Sequence, residues 1–163
     1  MSNYPGYPGG ANMPPPPQRP TAPASVLTAV KLMYTGAAFS LIGIVISLTA
    51  KDAIRKAIIA SRPSLTDSEI NTAVNVGIAF GVIVGLIGVG LWLWMAFANK
   101  AGHSWARIVS TVLFGINTLG LLYIVISPNS GFQKLGSAVG WLIGLGAIMF
   151  LWRSDSSAYF NAA

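Results

Sequence analysis

The stretch Ala73 to Arg107, AVNVGIAFGVIVGLIGVGLWLWMAFANKAGHSWAR, decides the fold. No charge interrupts it from Ala73 to Asn99, and at about 1.5 Å per residue that run outreaches the roughly 30 Å of bilayer hydrocarbon. It therefore predicts a membrane-spanning helix. Trp92, Trp94 and Phe97 mark its end as amphipathic rings at headgroup level, and Asn99-Lys100-Ala101-Gly102 supplies a charged turn. Trp105 and Arg107 open the next span.

Working outward, the same pattern recurs. Composition agrees: 53% of the 163 residues are hydrophobic and only 9% charged, against about 25% charged in soluble domains. Four spans are expected, at about 26–50, 73–98, 105–127 and 132–152. The predicted fold is all-α, a polytopic four-transmembrane-helix bundle occupying 25–163, whose first partner is the lipid bilayer. The formal charge of +6 does not imply nucleic acid, because the basic residues flank apolar segments instead of forming a patch.

Between the first two spans lies KDAIRKAIIASRPSLTDSEIN, residues 51–71. Ala53, Ile54, Ala57 and Ile58 share one helical face with Lys51, Asp52, Arg55 and Lys56 between them, which predicts an interfacial helix ended by Pro63. Thr66 and Glu69 then form a capping box, and Leu65 with Ile70 a hydrophobic staple, so the second spanning helix is expected to begin near Asp67. Asp67 and Glu69 complement its dipole.

The amino-terminal stretch, 1–24, contains all of the ten prolines but Pro63 and Pro128. It has too little apolar surface to offset chain entropy and is predicted to be a disordered tail. Without an apolar h-region it is not a signal peptide. Pro17-Gln18-Arg19-Pro20 is a PxxP pattern that offers a site for a cytoplasmic partner. At the other end, Arg153, Asp155, Tyr159 and Phe160 form a short tail whose aromatics are expected to fold back on the interface.

Candidate sites are few. Gly77, Gly81, Gly85 and Gly88 fall within about 80° around the second spanning helix, and Gly136, Gly140 and Gly144 repeat the arrangement in the fourth. Glycine gains nothing against acyl tails but permits close approach of another helix. Both faces are read as packing surfaces within the bundle, with contact to other membrane proteins or to a second copy as the alternative. Asn75, Asn117 and Thr118 are the intramembrane polar candidates, with Ser110 and Thr111 beside them. Asn117 is read as interhelical glue. No acid falls inside a predicted span, and the one arginine there, Arg107, sits in the opening turn of the third, which argues against an ion relay. With no cysteine and a single histidine, His103, in a turn, neither a metal site, a cofactor site nor a nucleophilic triad can be composed. No enzyme activity is expected.

Four spans put both termini on one side. Five basic residues (Arg19, Lys31, Lys100, Arg107, Arg153) lie there and five (Lys51, Arg55, Lys56, Arg62, Lys134) opposite, so charge bias does not orient the chain. The segment Leu91 to Leu122, with the YPGYPGG and PPPP tail, RPSLTDSEINTAV and the ending FLWRSDSSAYF, resembles a group of small actinobacterial four-helix membrane proteins. That resemblance implies a plasma-membrane location with cytoplasmic termini and transfers no active-site residue. The expected role is binding, organising or assisting other membrane components. The alternative is a small oligomeric transporter or channel lined by Asn75, Ser110, Asn117 and Thr118.

Overall fold

The computed structural model describes residues 21–127 and 131–162, apart from the side chain of residue 132. The polyproline stretch and the PxxP pattern lie outside the described residues, as does most of the turn after Ser127. Six helices follow one another: α1 (Ala24–Thr49), α2 (Lys51–Ser61), α3 (Asp67–Lys100), α4 (Ser104–Ile126), α5 (Gly131–Leu151) and α6 (Ser154–Ala162). Four of them, α1, α3, α4 and α5, are long and apolar enough to cross a membrane.

Local chemistry sets the boundaries. Thr66 Oγ1 accepts from Glu69 N at 3.4 Å while Thr66 N donates to the Glu69 carboxylate at 2.8 Å, so the capping box starts α3 at Asp67. Thr66→Ala is expected to lower stability by about 1 kcal/mol, read as a shift in the detergent unfolding midpoint with Thr72→Ala as the control. At the other end of α3, Gly102 adopts φ 82°, His103 N donates to Ala98 O at 3.2 Å and Gly102 N to Asn99 O at 3.1 Å. That is a Schellman ending, and it reverses the chain into α4 within a few residues. Ala50 interrupts the helix between α1 and α2. None of α2 is buried. Arg55 holds it to α3 through Asp67, at 2.7 Å, and Asn71. Because the Asp67 side chain is 86% exposed, that pair orients α2 more than it stabilises it.

The spanning helices pack in the spatial order α3, α1, α5, α4. Consecutive helices α3 and α4 touch only sparsely. The core sits at one end of the bundle, where Val26, Ala29, Val30 and Met33 of α1 meet Met95 and Ala96 of α3, Ala147 and Leu151 of α5, and Tyr159 and Phe160 of α6. The closing tail is thus a helix, α6, laid across the bundle end. Ser156 Oγ donates to Ser25 Oγ at 2.7 Å, Tyr159 Oη to Lys100 O at 2.9 Å, and Ser104 Oγ to Phe160 O at 2.7 Å. Hydrogen bonding from Ser25 also holds the Asp155 carboxyl below its ordinary value.

Candidate functional site

Because α3 and α4 diverge from their shared turn, a cavity of about 400 Å³ opens between them, backed by α1 and α5. Met33 comes from α1, Gly88, Trp92 and Met95 from α3, Ser110, Phe114 and Asn117 from α4, and Gly144 and Ala147 from α5. Ser110, Leu113, Phe114 and Asn117 line it because they recur every three or four residues on one face of α4. No charged side chain lines it.

The end nearest the turn is closed by a buried polar link. Asn99, 0% exposed, donates through Nδ2 to Met95 O at 2.8 Å and to Ser110 Oγ at 3.0 Å. Its Oδ1 is buried without a partner among the described residues. Position in the sequence placed Asn99 in a polar turn and concealed this role. The usable signal was its i−4 relation to Met95, one turn back on an apolar face.

Glycine packing differs from the predicted stripe. Beside Gly77, Gly81, Gly88 and Gly136 there is open space, so these four do not make the expected helix contacts within the chain. Gly85 does face α1: a Cβ there would meet Ile44 at 2.6 Å. Gly144 faces Phe114 at 3.0 Å and Trp92 at 3.7 Å, and Gly140 faces Phe39 at 3.8 Å. The reason is rotational. Gly85 and Trp92, two turns apart, lie along one line of α3, and Gly77, Gly81 and Gly88 sit about 40° to 80° off it. Contacts are also side chain into glycine, not glycine against glycine. Trp92 fills Gly36 on α1 while Ile44 of α1 fills Gly85, and Leu32 fills Gly146. Trp92, which sequence placed at the headgroups, is therefore an interior packing residue.

The polar candidates do not converge. Thr118 is the interhelical tie, accepting from Trp141 Nε1 at 2.9 Å while donating to Phe114 O at 2.8 Å. Trp152 Nε1 makes a similar bond to Thr111 at 3.0 Å. Asn117 makes no hydrogen bond to another helix among the described residues, so the predicted glue is its neighbour. It faces the cavity instead. Asn75 lies elsewhere, exposed beside Leu48 and Lys51. Thr66 and Glu69 belong to the connecting loop. His103 is exposed and stacks on Trp105 with centroids 6.0 Å apart. Arg107 sits over Trp152 at 4.4 Å and donates to Ser157 Oγ at 3.0 Å, serving the seat of α6. Among the described residues no cluster of His, Asp or Glu is arranged to hold a metal.

Chemically, this arrangement can receive an apolar body and offer it a few hydrogen bonds. It presents no nucleophile with a positioned base. Comparison with known proteins finds no matching family model, no matching curated protein and no matching solved structure.

Proposed function

We propose that this protein is a multi-pass plasma-membrane component that binds and organises other membrane proteins, with both termini and the proline-rich tail in the cytoplasm. The observation that carries the reading is the contrast along α3. Gly85 is filled by Ile44, whereas open space lies beside Gly77 and Gly81, among exposed Val76 and Phe80. A helix that has small residues in the bilayer and nothing of its own chain against them is shaped for a helix from another chain. The proline-rich tail adds a second point of attachment on the cytoplasmic side.

The test is co-purification of the full chain in mild detergent. A stoichiometric membrane-protein partner is expected with the native chain and is expected to be lost from a Gly77→Leu, Gly81→Leu variant that keeps its helical spectrum. Partner retention by that variant overturns the reading. Solute flux in liposomes holding only this protein would favour the channel instead. For that alternative Asn75 and Thr118 would have to be brought onto one path with Ser110 and Asn117 between copies, since within one chain only the last two share a cavity.

Orientation is tested separately. Since the chain has no cysteine, Ser64→Cys and Ala101→Cys each provide a single thiol in an exposed or partly exposed connection at opposite ends of the bundle. An impermeant maleimide added to intact cells is expected to label Ser64→Cys and to spare Ala101→Cys until the cells are opened. Gly102 is unsuitable, because its φ of 82° strains any side chain.

A further inference from the structure

Asn117 occupies an unusual place. It stands about 20 Å along α4 from Ser104, near mid-membrane depth by helix rise, exposed at the open side of an apolar cavity and hydrogen-bonded to nothing among the described residues. An amide in hydrocarbon is costly unless a partner meets it, and such residues tend to persist where they contact something. On the same face two turns nearer the turn end, Ser110 Oγ accepts from Asn99 and so keeps its own proton to give. Between the two, the rings of Trp92 and Phe114 converge over Gly144. The empty flank of Gly88 on α3 completes the space.

We infer that the α3/α4 cavity is a binding site for a neutral, ring-bearing membrane lipophile with carbonyl oxygens, of the prenylated quinone class. Each feature selects against another occupant. A volume of about 400 Å³ falls in the range of small-molecule pockets, roughly 300–1,000 Å³. The absence of charge from the lining excludes a phosphate headgroup. An acyl tail would fill the apolar walls but leave the Asn117 amide and the Ser110 hydroxyl unmet. A flat ring stacks on Trp92 and Phe114, and its oxygens accept from those two donors. The cavity's α3 wall at Gly88 lies two turns beyond Gly81 on the same side of the helix, and the site, which includes neither Gly77 nor Gly81, goes beyond the partner-binding reading.

The experiment uses the full chain in phosphatidylcholine nanodiscs, with a naphthoquinone carrying a short prenyl tail as the probe and squalene as an oxygen-free competitor. Saturable quenching of tryptophan fluorescence is expected, and squalene is expected not to displace the probe. Asn117→Leu should weaken binding about tenfold, the equivalent of about 1.4 kcal/mol, and Gly88→Phe, which fills the cavity, should abolish it. Gly43→Phe adds the same ring where nothing lies within 4 Å of the glycine and should leave binding intact. Quenching that rises linearly with probe, or is unchanged in Asn117→Leu and Gly88→Phe, overturns the site. Relief of the quenching by squalene at concentrations matching the probe overturns the hydrogen-bonding role and leaves a lipid-filled cleft. Neither variant alters Gly77 or Gly81, so loss of quinone binding with partner capture intact separates this proposal from the previous one.

Discussion

Phe160→Ala is expected to destabilise the protein by about 3–5 kcal/mol, the range for emptying a large aromatic site in a packed core. Among the described residues Phe160 is the largest fully buried side chain, at 1% exposure, and it closes the cluster formed with Val26, Met33, Met95 and Leu151. Its backbone carbonyl accepts from Ser104 and its ring lies 5.4 Å from the Arg107 guanidinium. One truncation therefore weakens the seat of α6 on four helices at once. Midpoints of dodecyl-sulfate titration in mild detergent, followed by circular dichroism, measure the loss. Tyr123→Ala, at a ring 68% exposed on α4, is the control and should move the midpoint little. Equal shifts in the two variants would mean that α6 does not dock.

Gly36→Ala is expected to cost about 1–3 kcal/mol through overpacking. The added Cβ would lie 2.8 Å from Trp92 Cε2 and 2.9 Å from Cδ2, inside contact distance of a rigid ring. The Trp92 ring borders both Gly144 of α5 and the α3/α4 cavity, so giving way to a new Cβ disturbs both. Gly43→Ala, seven residues on in the same helix, meets nothing within 4 Å. There the substitution should stabilise α1 by up to about 1 kcal/mol, the helix-propensity difference between the two residues. Opposite signs from the same chemical change in one helix are the expected result, read from the same midpoints. A shift in tryptophan emission should accompany only Gly36→Ala.

Much of the architecture was legible because hydrocarbon imposes a simple rule. A segment that pairs its own backbone groups in lipid without neighbours is a helix, so long apolar runs with few charges locate α1, α3, α4 and α5. The start of α3 was legible for a different reason, since Thr66 and Glu69 act within one turn and need no tertiary context. What failed was rotational. Placing Gly77, Gly81, Gly85 and Gly88 on one face says that they share a side, but not which neighbour lies there. The answer depends on the spatial order α3, α1, α5, α4, to which no periodicity points. The cavity was hidden for the same cause. Ser110 and Asn117 were visible as polar residues in a span, but the gap they face exists only because α4 leans on α5 and not on α3. Asn99 was read as a turn residue because it adjoins Lys100, although its side chain points back into the bundle.

The hydroxyl contact between Ser25 and Ser156 joins residues 131 positions apart. Every contact that seats α6 waits for the last described helix, so a chain synthesised only through α5 leaves that end of the bundle without its lid. A chain stopped before Ser154 would leave uncovered the patch of Val26, Met33 and Leu151 on which Tyr159 and Phe160 pack.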